Sequence, residues 1–219
     1  MKYIVNDNRL LRALSLSFRR RRMQRFMDAH KPAAGTRILD VGGYPATWQA
    51  TGIQSHLVLL NLHPVAQFVA PGDLSVETAV GDGCALPYED KSFDIVFSNS
   101  VLEHLGSFEN QKAFAREARR VGRRLWIQTP ARWCPFEPHL MTPLIHFLPR
   151  AIRRHLLRNF TLWGWITRPS QPEVDDFLAE VRLLTYREMK ELFPDCLILR
   201  ERFFGFTKSY MAVRGSHAD

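Results

Sequence analysis

Short apolar segments, each ending in small or polar residues, recur along the chain and constrain its fold more than any other feature. They lie at 37–41, 56–60, 75–80, 93–97 and 125–128, and helical patterns occur between them. Each segment has the length of a buried strand. Strands that alternate with helices at this spacing predict an α/β fold with a parallel sheet wound on both faces.

Start and stop signals define two of the predicted helices. An apolar stripe over 10–27 indicates an amphipathic helix that ends before Pro32, because proline disfavours helix in the residue before it. Ser107 is a good N-cap for a helix to Val121. Gly122 is expected to close that helix in the left-handed conformation that is common at this position.

The last forty residues depart from simple alternation. Thr185 caps a predicted helix to Phe193, and two predicted strands follow at 197–203 and 208–214. Four residues separate these strands, which is hairpin spacing. The predicted architecture is therefore a doubly wound, mostly parallel, seven-stranded sheet with an antiparallel last strand.

Positive charge is concentrated in a few segments. The 219 residues carry a formal net charge of +8, and residues 1–31 hold nine Lys or Arg against Asp7 and Asp28. Further basic clusters lie at 112–124 and 150–168. Such segregation predicts an anionic partner, which is nucleic acid, membrane headgroups or a phosphorylated substrate. Solvated helix faces are the alternative for each cluster.

Several classes of protein are disfavoured by what the sequence lacks. Cys84, Cys134 and Cys196 lie far apart without zinc or disulfide spacing, which predicts a reducing compartment and no metal site. No apolar run approaches the roughly 18 residues that span a bilayer, and the start lacks the pattern of a signal peptide. We therefore expect a cytoplasmic protein, peripheral to the inner face of the membrane if headgroups are its partner.

Four segments at the ends of predicted strands carry the candidate chemistry. In an open parallel sheet, ligands bind outside the carboxyl ends of the strands, where 40–44, 61–62, 82–84 and 98–100 lie. Glycines in the first segment let backbone approach a ligand, and polar side chains in the next two can bind a ribose and a purine. The first segment does not fit G-x-G-x-x-G, which favours adenosine joined to an amino acid over a dinucleotide.

Two stretches carry a resemblance to a known family. Residues 37–43, RILDVGG, look like the glycine-rich first motif of class I S-adenosylmethionine-dependent methyltransferases. Residues 81–104, from GDGCALPYEDKSFD to VLEH, are similar almost position by position to the GDAxxLPFxDxSFDxVxSxxVLEH stretch of the type-11 methyltransferase domain group. The resemblance covers about residues 35–130 and implies the seven-stranded fold of that family, with S-adenosyl-L-methionine as the cofactor.

The resemblance also implies the cofactor-binding residues, from the methionine part through the ribose to the adenine and the edge beneath the methionine. In that order they are Asp40, Gly42, Gly43 and Tyr44, then Asn61 and Leu62, then Asp82, Gly83 and Cys84, and finally Ser98 and Asn99. The sequence departs from the family at Tyr44 and Ala46, where glycine is usual, and at Asn61, where an acid is usual. Neither departure is expected to abolish cofactor binding, since the backbone makes much of the contact.

Candidate catalytic residues follow the fourth and fifth predicted strands. His104 is a candidate general base, and the alternative is a histidine that positions its loop. Glu137 and His139, between prolines, are a candidate base and orienting partner. The alternative is a rigid loop whose polar groups cap the next helix.

Two features of the sequence bear on the methyl acceptor: a motif that is missing after the fourth strand, and the composition of residues 144–166. No Asn/Asp/Ser-Pro-Pro-aromatic motif follows the fourth strand, which disfavours nucleic acid as substrate. Apolar residues over 144–166 alternate with arginines, which is typical of an interfacial helix, although a lid packed on the sheet gives the same pattern. We predict methyl transfer to oxygen of a small, lipid-linked or saccharide acceptor. The alternatives are an RNA-directed methyltransferase and a non-catalytic protein that keeps the fold for binding.

The predicted organisation has four parts. Residues 1–31 form a basic amphipathic helix, and 32–130 form the S-adenosylmethionine-binding core. Residues 131–175 form an acceptor-side helical insertion or lid, and 176–219 complete the same domain with the final helix and the hairpin.

Overall fold

A seven-stranded sheet organises the molecule. The computed structural model describes residues 9–48, 51–64, 75–137, 140 and 142–215. The strands of the main sheet are Arg37–Val41 (β1), His56–Asn61 (β2), Ser75–Val80 (β3), Phe93–Asn99 (β4), Gly122–Pro130 (β5), Leu197–Phe203 (β8) and Phe206–Arg214 (β9). Phe136–Glu137 (β6) and Thr142–Pro143 (β7) pair with each other in a small separate hairpin.

The order of the strands confirms the predicted architecture. It is β3-β2-β1-β4-β5-β9-β8, with β9 antiparallel to both of its neighbours and the first five strands parallel. The carboxyl ends of β1, β2, β4 and β5 therefore meet at one edge of the sheet. The start of β9 lies at the same edge, because Ser209 pairs with Pro130.

Six α-helices accompany the sheet in the part of the chain that is described. They are Arg9–His30 (α1), Phe108–Val121 (α2), Arg150–Phe160 (α3), Leu162–Thr167 (α4), Gln171–Glu180 (α5) and Tyr186–Leu192 (α6). Buried side chains of α2 and α6, such as Phe114 and Met189, pack on one face of the sheet with Leu39 and Val96. α1 covers the other face through Phe26. The sheet is thus wound on both faces.

Aromatic contacts fix α1 on its face of the sheet. The ring of Phe26 lies 5.7 Å from Trp48, 5.1 Å from Phe97 and 5.9 Å from Trp126, each in an edge-to-face arrangement. Such pairs stabilise beyond the area they bury. At the end of α1, the carbonyl of His30 accepts a hydrogen bond from Arg124 at the start of β5. α1 therefore runs from the carboxyl edge of the sheet, where Arg22 contacts Asn99, to the amino edge, where the helix ends at His30.

The prediction for Gly122 was wrong. Ser107 does cap α2, accepting from the backbone N–H of Asn110 at 3.1 Å. Gly122, however, has φ −93° and ψ 142°, which is extended, because α2 passes directly into β5. A Cβ here would lie 2.7 Å from a methyl group of Val96. The glycine is needed for close packing of α2 and β4, and not for a left-handed turn.

The β8–β9 connection is also tighter than the expected four residues. Phe203 pairs with Phe206, so only Phe204 and Gly205 form the turn. Both have positive φ, 47° and 83°. Two successive left-handed residues are the signature of a type I′ turn, whose twist matches that of antiparallel strands.

The helices after β5 form a satellite core of their own. Leu140, Leu157 and Trp163 pack with residues of α5, including Val174 and Phe177. α5 begins with a capping box between Ser170 and Glu173, as its sequence would favour. The division of the chain into four parts stays a prediction.

Acidic partners account for much of the middle basic cluster. Arg119 lies 2.8 Å from Asp195, and Arg120 lies 2.7 Å from Glu117 and 2.9 Å from Asp90. These contacts favour the structural alternative for 112–124. Among the described helices, none is long and apolar enough to cross a membrane.

Candidate active site

A cavity of about 550 Å³ opens where β1 and β2 end. This volume is within the range of small-molecule sites, roughly 300–1,000 Å³. Its walls combine apolar side chains with a few polar ones. They are Val41, Gly42, Tyr44, Leu60, Asn61, Leu62, His63, Pro64, Gly81, Asp82, Gly83, Val101, Leu105 and Phe114.

Glycines shape the wall of this cavity. Gly42 has φ +76°, and a Cβ on it would collide with Val101 across the cavity wall. A Cβ on Gly43 would collide with the carboxylate of Asp40. At the other end, a Cβ on Gly83 would lie 2.9 Å from Phe114 and from Val41. The cavity therefore needs glycine at these positions for backbone to pass close to side chains.

Two side chains hold the glycine loop from opposite sides. Asp40 is fully buried and accepts a hydrogen bond from the indole Nε1 of Trp48 at 2.8 Å. Asn61, at the end of β2, donates from Nδ2 to the carbonyl of Gly43 at 3.0 Å. Tyr44 between them has φ −125°, an extended conformation that a non-glycine residue adopts without strain.

Asp40 lies beneath the loop and does not contribute to the cavity wall formed by the described residues. Burial raises the pKa of its carboxyl to about 7, and the hydrogen bond from Trp48 only partly offsets this effect. Its structural effect is to fix Trp48 and, through the close contact with Gly43, the course of the loop. Its predicted contact with the methionine part of the cofactor stays a prediction.

A turn after β3 presents Asp82. One carboxylate oxygen accepts from the backbone N–H of Cys84 at 2.8 Å, which fixes the side chain against its own turn. Cys84 donates from Sγ to the carbonyl of Asn110 on α2, at 3.4 Å. Burial raises the pKa of the Cys84 thiol to about 11, so it stays protonated at neutral pH. The thiol is thus a packing and donor group.

Ser98 and Asn99, at the end of β4, have different surroundings. Ser98 is fully buried and donates from Oγ to the carbonyl of Val41 at 2.9 Å, which ties β4 to β1 beneath the glycine loop. Asn99 accepts a hydrogen bond from Arg22 of α1 at 2.7 Å. Asn99 therefore belongs to a second group of polar residues beside the cavity.

That second group, the acceptor-side cluster, consists of Arg22, Asn99, Gln128, Glu201 and Lys208. Nη1 of Arg22 donates to the amide oxygens of Asn99 and Gln128, each at 2.7 Å, and its Nε lies 3.5 Å from Glu201. Lys208 lies 3.9 Å from the other oxygen of Glu201. Burial lowers the pKa of Arg22, and it lowers that of Lys208 to about 8.

The sequence contains a signal that Arg22 is buried, which counting the charges of α1 does not reveal. Arg22 is the last of four consecutive arginines, and Arg19, Arg20 and Arg21 are exposed. Only Arg22 lies four residues from both Phe18 and Phe26, the two buried phenylalanines of α1. A charge within an apolar stripe at helical spacing indicates a buried charge with a partner. Gln128 and Lys208 had no such signal, since their neighbours are non-local.

Among the predicted catalytic residues, the structure gives the clearest geometry to His104. Its Nδ1 lies 2.7 Å from Oε1 of Glu180, the last residue of α5. A carboxylate only accepts, so Nδ1 carries the proton of this hydrogen bond. Val101 and Leu105, on either side of His104 in the chain, line the cavity.

The other predicted base lies at the limit of the described residues. The backbone of Glu137 pairs with Thr142 in the β6–β7 hairpin. The side chain of Glu137 and the whole of His139 lie outside the described residues. Their pairing stays a prediction.

The cofactor-binding residues predicted from sequence are brought together around one cavity. Those that line it are Gly42, Tyr44, Asn61, Leu62, Asp82 and Gly83. The others lie behind or beside its wall and are Asp40, Gly43, Cys84, Ser98 and Asn99. Their individual contacts with a ligand stay predictions. His63, Phe114 and Leu105 were missed, although His63 directly follows the predicted Asn61–Leu62 pair.

Comparison with known proteins agrees with this geometry. Residues 40–124 match the family described as a methyltransferase domain. The magnesium protoporphyrin IX methyltransferase of Synechocystis PCC 6803, solved with bound SAH, is similar over 94% of this chain and 88% of its own, with 12% identity and a TM-score of 0.57. A putative methyltransferase of Haloferax volcanii, solved with the Trm112 activator, matches over 87% of each chain, with 11% identity and a TM-score of 0.53. No curated protein matches the sequence.

The two structural matches share the fold, and the family match identifies the chemistry of residues 40–124. Residues 40–124 form a methyltransferase domain within a seven-stranded sheet of methyltransferase topology, and the cavity lies at the carboxyl edge of that sheet. It is a domain of the S-adenosylmethionine-dependent class, and S-adenosylmethionine is its cofactor.

The cavity fits that cofactor by the chemistry of its walls. Asn61 and Asp82 supply oxygen atoms that can accept from hydroxyl or amine groups, and apolar walls such as Leu62 and Phe114 can cover a purine. Among the described residues that line it there is no Lys or Arg, which suits a ligand without phosphate. Gly42 leaves the space that a side chain would fill.

Proposed function

We propose that this protein transfers a methyl group from S-adenosylmethionine to an oxygen atom of a small, lipid-linked or saccharide acceptor. One observation carries the proposal. The cavity at the ends of β1 and β2 adjoins the end of β4, where Asn99 belongs to the acceptor-side cluster. A cofactor cavity and a second polar site therefore share one edge of the sheet, as transfer between two bound molecules requires.

Different residues of the cavity would bind the ribose, the adenine and the methionine part of the cofactor. Asn61 would accept from the ribose hydroxyls through Oδ1, because its Nδ2 is engaged with Gly43. Asp82 would accept from the adenine amine, with Gly83 and Phe114 beside it. The backbone at Gly42 and Gly43, which Asp40 positions, would run close to the methionine part of the cofactor. The bound cofactor supplies an electrophilic methyl group on a sulfonium.

His104 would remove the proton of the acceptor hydroxyl. The short pair with Glu180 is the reason to prefer it, since a carboxylate on Nδ1 holds the ring in one orientation. The proton would pass from the hydroxyl to Nε2. Glu137 with His139 remains the alternative base.

Exposed apolar side chains support an amphiphilic acceptor. Trp133, which follows β5, is 62% exposed and stacks on Phe147 with 5.7 Å between ring centroids. Exposed aromatic rings at the edge that holds the cofactor cavity suit a lipid-linked or saccharide acceptor, and a membrane surface would be the source of a lipid-linked one. The RNA-directed alternative is supported only by the basic helix α1, since the sequence has no base-reading motif after the fourth strand.

Calorimetry with S-adenosylmethionine and S-adenosylhomocysteine tests cofactor binding. We expect both to bind, and Asp82→Ala to weaken binding about tenfold, as loss of a hydrogen bond to a charged group does. Asp28→Ala, an exposed change on α1, should bind as the parent does. No binding of either ligand at millimolar concentration would support the non-catalytic alternative and overturn the proposal.

Transfer itself is tested with methyl-labelled S-adenosylmethionine and three acceptor fractions: an organic lipid extract, a saccharide fraction and RNA. Label is expected in the lipid or saccharide fraction, and His104→Gln should lower its rate while leaving cofactor affinity unchanged. Label confined to RNA would establish the second function instead.

A further inference from the structure

Exposed aromatic side chains from two segments lie at the edge of the sheet that holds the cavity. These residues, the aromatic rim, are Trp133, Phe147, Phe203, Phe204 and Phe206. They are 62%, 40%, 36%, 85% and 55% exposed, respectively. Large apolar groups at this exposure indicate a surface that binds something, when they are close together.

Strand pairing places the rim at one edge. Pro130, the last residue of β5, pairs with Ser209, so the β8–β9 turn lies beyond the carboxyl end of β5. The backbone N–H of Ala131 donates to the carbonyl of Lys208 at 2.9 Å, and Trp133 follows two residues later. The turn and the start of the insertion therefore project from the sheet side by side.

The N-terminal half of α1 reaches the same place. Phe18 lies 5.4 Å from Phe203, ring to ring, in an edge-to-face contact. Arg19, Arg20 and Arg21 follow directly and are exposed. At a rise of about 1.5 Å per residue, these arginines lie within one helical turn of the rim contact.

Other cations border the rim. Arg132 is exposed, with its guanidinium 5.9 Å from the ring of Trp133, and Arg202 is exposed beside Phe203. In the segment 131–172 the sequence has six arginines and one acid, Glu137. Aromatic rings surrounded by cations match the headgroup layer of an anionic bilayer, where rings enter the interface and cations pair with lipid phosphates.

The conformation of Phe204 is the strongest single indication. It has φ +47° and is the most exposed large apolar residue among those described, with a ring contact to Phe203 at 4.5 Å. Left-handed backbone is unfavourable for a bulky side chain, and the first position of a type I′ turn favours Asn or Gly. Folding alone does not explain a phenylalanine here, whereas insertion into an interface does.

We infer that the aromatic rim docks the catalytic edge of this protein on an anionic membrane surface, with Phe204 entering the interface and Arg19–Arg21 contacting headgroups. The inference rests on the proposed function, since it places the acceptor entrance against the layer that would contain a lipid-linked acceptor. Charge complementarity favours lipid over an apolar protein partner.

Vesicle co-sedimentation of the whole protein tests the inference. Vesicles of phosphatidylcholine alone are compared with vesicles containing 30% phosphatidylglycerol. We expect binding to the anionic vesicles that is at least tenfold tighter than to the neutral ones, from about 1.4 kcal/mol of electrostatic attraction, and that weakens in high salt. Equal, negligible binding to both overturns the inference.

Matched variants locate the surface. Phe204→Asn and Trp133→Ser should each weaken binding to anionic vesicles about five- to tenfold, by loss of buried apolar area. Leu197→Ser is the control, because Leu197 is 66% exposed at the opposite end of β8. Equal losses in all three variants, or no loss in Phe204→Asn and Trp133→Ser, contradict the assignment to the rim.

Two further readouts separate the failure modes. Cofactor calorimetry on the same variants should be unchanged, so a docking failure with intact cofactor binding overturns only the membrane surface. Loss of cofactor binding in the parent protein would instead overturn the proposed function. Tighter binding to a single-stranded RNA 20-mer than to anionic vesicles would overturn the inference and assign the arginines around the aromatic rim to nucleic acid.

Discussion

At the residue scale, Asp40 combines two properties that sequence motifs do not separate. It belongs to the glycine-rich motif, yet its carboxyl is buried, accepts from Trp48, and touches Gly43 from below. Its contribution is therefore to position the loop. A positioning carboxyl can be replaced by an amide of the same shape, and this distinguishes it from a carboxylate that must be charged.

Asp40→Asn should make stability less sensitive to a rise in pH from about 4 to 7. Burial raises the pKa of Asp40 from 3.8 to about 7 in the folded state, so the unfolded chain gives up its proton first as pH rises. The folded state therefore loses stability between about pH 4 and pH 7. Chemical denaturation at pH 5 and pH 8 should show Asp40→Asn gaining roughly 2.5 kcal/mol relative to the parent over this interval.

Asp40→Ala provides the contrast for that experiment. It leaves the indole N–H of Trp48 buried without its acceptor and should cost about 2–4 kcal/mol at either pH. If Asp40→Asn and Asp40→Ala are equally unstable, or the pH difference is absent, the positioning role is wrong.

His30 gives a pH dependence of the opposite sign. It is 4% exposed at the end of α1, and burial, helped by the nearby Arg124 charge, lowers its pKa from 6.5 to about 4. The unfolded chain takes up the proton first as pH falls, so stability is lost between about pH 6.5 and pH 4. The loss from this group between pH 8 and pH 5 should be roughly 2 kcal/mol.

Urea titration of the parent, His30→Gln and His155→Gln measures this effect. His155 is exposed on α3 and serves as the control. The loss on acidification should be smaller in His30→Gln and unchanged in His155→Gln. Identical pH profiles in all three proteins would contradict a buried, neutral His30.

At the element scale, α1 is attached to the sheet at two points of different chemistry. Phe26 anchors it in the apolar core, and Arg22 anchors it to polar side chains at the carboxyl edge. Arg22→Met should lower stability by about 3 kcal/mol, because Glu201 would remain buried with a weaker cationic environment. The adjacent, exposed Arg21→Met should change stability little.

Hydrogen exchange shows whether the loss is local. In Arg22→Met, amides of α1 before residue 22 should exchange faster, while those of β1 and β4 keep their protection relative to the unfolding free energy. Uniform loss of protection across α1 and the sheet would mean that Arg22 stabilises the whole fold and does not act as a local tether.

A substitution in the β8–β9 turn should raise stability, in contrast to Arg22→Met. Phe204→Asn should raise stability by about 1 kcal/mol, since Asn tolerates the left-handed conformation and is favoured in type I′ turns. Gly205→Ala, at φ +83°, should lower stability by a similar amount. Thermal unfolding of the two variants checks both signs, and a destabilised Phe204→Asn would show that the phenylalanine is structural.

Local patterns predicted these elements well where the controlling interactions are local. Strand segments, the Ser107 cap and the hairpin follow from periodicity and turn chemistry between near neighbours. The left-handed conformation predicted for Gly122 was wrong because close packing against Val96, on another strand, determines its backbone. The Arg22 contacts to Asn99 and Gln128 span 77 and 106 residues, a separation at which no sequence pattern operates.

At the scale of the whole molecule, the two cores of the sheet differ from the satellite core in how they are built. The cores on the two faces of the sheet share its strands and should unfold together, whereas the satellite core around Leu157 and Trp163 is built largely by α3, α4 and α5. The cofactor cavity lies against the sheet and α2, through Phe114. Ligand binding should therefore stabilise the sheet domain more than the satellite.

S-adenosylhomocysteine at a hundredfold excess over its dissociation constant should add about 2.7 kcal/mol to the stability of the ligand-binding unit, because it binds the folded state only. For a chain of this size that corresponds to a rise in Tm of roughly 5–10 °C. Hydrogen exchange should show added protection in β1, β2 and α2, and little in the satellite. NAD at the same concentration is the control, and an equal rise in Tm with NAD would contradict a cavity selective for a ligand without phosphate. Equal added protection in the satellite would instead mean that the insertion unfolds together with the catalytic sheet.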